Sequence, residues 1–115
     1  MDYSQLSDGE INMAVAAIVF PERDVIESKS RPPSACVIGH LPSKWVDYCN
    51  NPADAWPIIL QSRISMVWDC AEDASAEWWN AFDQFDNFRV QYQSNPLRAA
   101  MIVFLMMHES DQSTS

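Results

Sequence analysis

Apolar residues recur at helical spacing in three stretches of this chain and alternate in several shorter ones. Ile11, Ala14, Val15 and Ile18 lie three, four and seven positions apart, which marks one face of a helix. Ser7-Asp8-Gly9-Glu10 precedes them as a capping box: the Ser7 hydroxyl accepts from the Glu10 amide, and the Glu10 carboxylate reaches back to the Ser7 N–H. Leu6 and Ile11 fall where a hydrophobic staple belongs. The pattern predicts a helix from Asp8 to about Ile18, stopped by Pro21. Trp56, Ile59, Leu60 and Ile64 form a second stripe, in a helix that starts at Asn51 and bends at Pro57. A third helix runs from Pro96 to about His108 and is apolar nearly all round. Such a helix is central to a small fold or docks in a dimer.

Between these lie candidate strands. Ala35 to Ile38, Ser65 to Cys70, Glu77 to Phe82 and Phe88 to Gln93 are short and rich in strand formers. In the last, Phe88, Val90 and Tyr92 share one face and Arg89, Gln91 and Gln93 the other. Lys44 to Cys49 alternates weakly, with Trp45 and Asp47 on one face, and reads as strand or turn. Glu22 to Pro33 is a polar loop, and Gly39-His40-Leu41-Pro42 a turn. Ala71 to Ala76 and Asp86-Asn87 connect the later strands. The order predicts an α+β fold: a compact two-layer or three-layer sandwich, with three helices packed on a small, mostly antiparallel sheet. Residues 1–110 form a single domain, and 111–115 a polar, disordered tail.

Charge narrows the range of partners. The chain has 115 residues, 16 acidic and 7 basic, for a net charge of −9. Such a surface repels nucleic-acid backbones, so direct nucleic-acid binding is excluded. Cys36, Cys49 and Cys70 are odd in number and form no C-x-x-C pair, which suggests neither zinc nor a redox motif. The N-terminus lacks the basic region and cleavage site of a secretory leader. The longest apolar run, Ala99 to Met107, is well short of the ~20 residues a bilayer needs. The expectation is a protein of the host cytoplasm, away from membranes, with reduced thiols.

Catalytic patterns are lacking. His40 and His108 are isolated, and Asp69, Glu72 and Asp73 fall in a solvated connection. Cys49, beside a helix start, is either a thiol of lowered pKa or a small core residue. No zinc-protease, phosphate-loop or dinucleotide motif occurs, so the chain reads as no enzyme, with no cofactor and no metal.

Binding chemistry gathers at two matching helix starts, Asn51-Pro52 and Asn95-Pro96. Asn caps a free N–H, and Pro has none to lose at the first helical position. A helix N-terminus also attracts anions. Arg98 stands ready to neutralise one, aided by Arg63 or Lys44, unless it pairs with an acid such as Asp54. Trp45, Trp56, Trp68, Trp78 and Trp79, with Tyr48 and Tyr92, supply rings on which bases stack, although core packing would use many of them. Trp78 and Trp79, adjacent on a strand, face opposite sides. The candidate ligand-binding set is Asn51, Trp56, Trp78, Trp79, Asn95, Arg98 and Tyr48.

The segments Asp47-Tyr48-Cys49-Asn50-Asn51-Pro52-Ala53-Asp54-Ala55-Trp56-Pro57-Ile58-Ile59 and Asn95-Pro96-Leu97-Arg98-Ala99-Ala100-Met101 resemble the signature of the NinX family of tailed-phage proteins. The opening Tyr3 to Asn12 is similar to the family's first helix. The resemblance implies a compact α+β sandwich and a dispensable phage accessory gene. Accessory proteins of phages often counter host immunity. By that analogy, the protein is expected to sequester a small signalling nucleotide without turnover, with phosphates at the helix starts and bases on Trp or Tyr. The alternative is an acidic inhibitor, in one form a DNA mimic, that binds a host defence or recombination protein. A structural accessory role is the third reading. The apolar last helix leaves a homodimer or higher homo-oligomer open, with a site shared between subunits to suit a two-fold symmetric ligand. Residues 21–41 are the segment that could close over a site.

Overall fold

The computed structural model describes residues 2–39, 42 and 44–114, with side chains up to residue 111. A single 3-10 turn, Tyr3–Gln5, leads into α1, Asp8–Val19. Then come β1 (Val25–Glu27), β2 (Ala35–Val37), β3 (Lys44–Val46), α2 (Pro52–Ser62), β4 (Ser65–Cys70), β5 (Glu77–Phe82), β6 (Arg89–Gln93) and α3 (Pro96–Thr114). The fold is α+β, as expected, but its strands form two antiparallel three-stranded sheets, β1-β2-β3 and β4-β5-β6.

Local chemistry starts each helix. The capping box of α1 is complete: the Glu10 amide donates to Ser7 Oγ at 3.2 Å, and the Ser7 amide donates to Glu10 Oε1 at 3.0 Å. Ile11, Asn12, Val15 and Ala16 are its buried face, so Asn12 and Ala16 join the expected stripe while Ala14 and Ile18 are only half-buried. Asn51 caps α2 by accepting from the Ala53 amide. The buried residues of α2 are Ala55, Ile58 and Ile59, whereas Trp56 and Leu60 lie exposed. The stripe is therefore turned by one position, because small Ala55 lets the backbone come close to its neighbours where Trp56 would hold it off.

Two elements differ from the sequence reading. The polar stretch 22–33 contains β1: Val25 and Ile26 suffice to pair with Val37 and Cys36. His40 and Leu41 of the expected turn lie outside the described residues. α3 does not stop near His108 but continues through Thr114, so the expected disordered tail is helical to that point. Nothing in Glu109 to Thr114 is a helix breaker, and adding turns to an existing helix needs no new nucleus.

α3 is the centre. Ala99, Ala100, Met101, Ile102 and Val103 are all fully or almost fully buried. It packs against α1, α2 and the second sheet, while the first sheet packs against α1. Its apolar surround is thus used inside the fold. The first sheet turns Ala35, Val37 and Val46 inward. The second packs Met66, Ala81, Phe88 and Val90 against the core.

β6 departs from strict alternation. Trp79 pairs with Gln93 and Ala81 with Val90, so β6 holds one extra residue there. Tyr92 takes a positive φ of 62° and leaves the row of Phe88 and Val90. Its amide is held by Asn80 Oδ1 at 3.3 Å, and its side chain is 70% exposed.

Removing the Ser7 hydroxyl uncaps α1, so Ser7→Ala should lower unfolding free energy by about 1 kcal/mol, read as a drop in the urea midpoint at unchanged m-value.

Candidate functional site

Three helix N-termini meet at the turn Asp47 to Asn51. The Asn51 amide donates to the Asp47 carbonyl at 2.8 Å, which closes the turn. Asn12, fully buried on α1, holds this turn from both ends. Its Oδ1 accepts from the Cys49 amide at 3.1 Å, and its Nδ2 donates to Asp47 Oδ1 at 2.8 Å and to the Pro33 carbonyl at 3.0 Å. Asn50 Nδ2 donates to the Asp47 carboxylate and to Asp8 Oδ2, which ties α2 to the start of α1. Asn95 brings in α3: its Nδ2 donates to the Cys49 carbonyl at 2.6 Å, while its Oδ1 caps the Leu97 amide at 2.8 Å.

Arg98 completes this hub. Its Nη1 donates to Asp8 Oδ1 at 2.8 Å. Nη2 donates to the carbonyls of Ser4 and Leu6, and Nε to Gln93 Oε1. Its ion-pair partner is therefore Asp8 and not Asp54. Asp54 instead accepts from the Asp47 amide at 3.0 Å. The positive ends of α1 and α2 already hold carboxylates of the chain itself, Asp8 and Asp54, each in a first turn.

Cys49 sits at the centre of the hub, fully buried. Loss of solvent, and then the negative charge of Asp8, push its thiol from an ordinary 9.0 up to about 12, against a smaller opposing effect of Arg98. The lowered thiol pKa weighed from its place beside a helix start is thus reversed: burial outweighs the helix dipole. Tyr48 is also buried, and its hydroxyl is shifted upward by burial and by Asp54.

The expected binding residues fall in three places. Asn51, Asn95, Arg98 and neighbouring Tyr48 belong to the hub. Trp56 is half-exposed on α2, beside Leu60, Arg63 and Met66 in a groove of about 390 Å³. Trp78 and Trp79 lie on opposite faces of β5, as alternation requires. Trp79 shares the α3-facing side with Ala81 and pairs with Trp68, whereas Trp78 lies against Tyr92, ring centroids 5.0 Å apart.

A further cluster was missed by pattern reading. Ile26, Cys36 and Trp45 are in register across β1, β2 and β3, and form a row on the face of the first sheet that turns away from α1. The β1–β2 connection rises over this row. The Arg31 amide donates to Ser28 Oγ, and the Arg31 guanidinium lies over the Trp45 ring, 4.1 Å from its centroid. Ile26, Glu27, Ser28, Lys29, Ser30, Cys36 and Trp45 line a cleft of about 330 Å³. One signal could have found it: residues 28 to 46 carry Lys29, Arg31 and Lys44 but no Asp or Glu. Among the described residues there is no group of three metal-ligating side chains, and no helix long and apolar enough to cross a membrane.

These features define a small α+β domain whose helix starts are locked together by side-chain amides and carboxylates, with an open sheet face at either end. The family model described as Bacteriophage P22, NinX matches residues 2–108, and the chain belongs to that family. The match spans all three helices' starts and both sheets, and is consistent with a phage accessory protein. No curated protein and no solved structure matches the chain.

Three outcomes follow from the hub. Asn12→Ala strands the Cys49 amide and the Pro33 carbonyl and leaves Asp47 Oδ1 with Asn50 alone, and should cost about 3 kcal/mol in chemical denaturation. Native-state alkylation at pH 8 should modify Cys36 and Cys70 but spare Cys49. Because the Cys49 thiol stays protonated in the fold after the unfolded chain's thiol has ionised, stability should be unaffected by it below pH 9 and fall as pH rises toward 12. Urea midpoints measured up that range should decline less steeply in Cys49→Ala.

Proposed function

We propose that this phage-family protein counters host immunity by binding and sequestering a small signalling nucleotide without turning it over, at the outer face of the first sheet. The observation that carries the reading is the cleft over Trp45. In a chain of net charge −9, its lining carries Lys29 against a single acid, Glu27, and Arg31 lies over the Trp45 ring at its wall. Neither cation is in an ion pair with a described residue. A base that displaced the Arg31 guanidinium would stack on the Trp45 ring, and Lys29, the released Arg31 and the hydroxyls of Ser28 and Ser30 suit phosphate oxygens. The volume, about 330 Å³, is in the range of small-ligand sites. The helix starts support the reading less well, because Asn51, Asn95 and Arg98 already spend their polar groups on the chain itself.

A second reading, an acidic inhibitor that docks on a host protein, draws support from exposed Tyr92 and the half-buried Trp78 ring against it, on the outer face of the second sheet.

Thermal shift against cyclic di- and trinucleotides and ADP-ribose derivatives separates the two. A true ligand at 100-fold excess over its Kd should stabilise the fold by about 2.7 kcal/mol. It should be recovered chemically intact after heat denaturation. Arg31→Ala and Trp45→Ala should abolish the shift while leaving the unliganded melting temperature within a few degrees. Retention of the shift in both variants, or its loss in Trp78→Ala instead, would overturn the assignment to the first sheet. A flat response across the panel would turn the search to a protein partner.

A further inference from the structure

The two edges of the second sheet are not alike. β6 is blunted: its extra residue and the positive φ of Tyr92 break the ladder, and Arg89 is clamped in a two-pronged pair to Asp86. β4 carries no such device. It runs straight from Ser65 to Cys70 in unbroken register with β5, with no Pro, Lys or Arg along it. Among the described residues, Ser65 to Cys70 make no backbone–backbone hydrogen bond outside that pairing; the Cys70 amide, at the strand's end, donates to Asp69 Oδ1 at 2.8 Å. Val67 and Trp68, on opposite faces of the strand, are 44% and 51% exposed. An open, straight, apolar edge is a template for another strand.

The charges flanking β4 select that strand. Arg63 stands just before it, exposed and unpaired with any described residue. Asp69, Glu72 and Asp73 stand at its far end. The segment is therefore charge-complementary to itself when reversed. An antiparallel copy puts Arg63 of each chain opposite Glu72 and Asp73 of the other, twice over. A parallel copy would place like charges side by side.

We propose that the β4 edge is occupied by a second copy of this chain, paired antiparallel about a two-fold axis near Val67 and Trp68. The second sheet of each copy then joins its counterpart in one six-stranded sheet. The pairing covers Val67 and Trp68 and satisfies the outward backbone groups of β4. It uses none of the residues that line the cleft over Trp45, so it stands or falls independently of the nucleotide reading.

The test is sedimentation of the full chain from about 1 to about 100 µM, with charge-swapped variants. Wild type should dimerise across this range. Arg63→Glu alone, and Glu72→Lys with Asp73→Lys alone, should each weaken self-association at least about tenfold, because both place like charges at two symmetric contacts. Mixing the two variants should restore a dimer, since opposite charges then face each other at both contacts. Circular dichroism and melting curves check that each variant folds. A wild type that stays monomeric throughout, or variants that each dimerise as wild type does, would overturn the proposal. Should a variant fail to fold, hydrogen exchange on wild type decides. β4 amides should gain protection with rising concentration while β6 amides do not, and equal exchange of β4 at both concentrations would rule the pairing out.

Discussion

The fold depends on one buried side-chain amide. Asn12 leaves α1 to bond the backbone at Cys49 and Pro33 and the carboxylate of Asp47. A bare carboxylate in such a place would be expensive to desolvate. Here the amides of Asn12 and Asn50 bond the Asp47 carboxylate, so the desolvation cost is met by hydrogen bonds. Once the Asp47–Asn51 turn is fixed, the axis of α2 is fixed with it, and Asn95 locks α3 to the same turn through the Cys49 carbonyl. The sheets then follow their helices, the first on α1 and the second on α3. Polar contacts set direction here, and apolar burial along α3 supplies most of the driving force.

The same hub governs where the molecule has chemistry to spare. Helix N-termini attract anions, and this chain fills two of them with its own Asp8 and Asp54. Arg98, the cation best placed beside them, is spent on Asp8 and three uncharged acceptors. What remains free is therefore pushed outward, to Lys29 and Arg31 at one end of the molecule and Arg63 at the foot of β4. In a protein so acidic overall, cations with no ion pair among the described residues carry more information than the many acids.

Elements governed by neighbouring residues were legible in the sequence. The capping box at Ser7, the Asn-Pro starts of α2 and α3, and β4 and β5 all follow from spacing and cap chemistry. The elements that eluded pattern reading depend on contacts distant in sequence. β1 has only Val25 and Ile26 to announce it within a polar stretch, and exists because β2 lies beside it. The bulge that turns Tyr92 outward depends on Asn80 accepting its amide, which no local pattern encodes. The candidate site divides the same way. Asn51 and Asn95 were identifiable as caps, but that Asn95 also bonds Cys49 is a matter of how the helices meet. Trp45 and Arg31 became a pair only when β3 was seen to lie against β2.

The separation of the two open sheets bears on stoichiometry. The first sheet packs on α1 and the second on α3, so the cleft over Trp45 and the β4 edge belong to different sheets and share no residue. A site shared between subunits, suited to a two-fold symmetric ligand, would need the cleft to lie on the dimer axis. Pairing through β4 puts that axis near Val67 and Trp68 instead, and each copy keeps its own complete cleft, since all its lining residues come from one chain. On the nucleotide reading, a dimer of this kind would hold one ligand per chain, in two separate clefts. Its binding curve is then simple, and dimerisation changes the number of sites per particle without changing the affinity of any one of them.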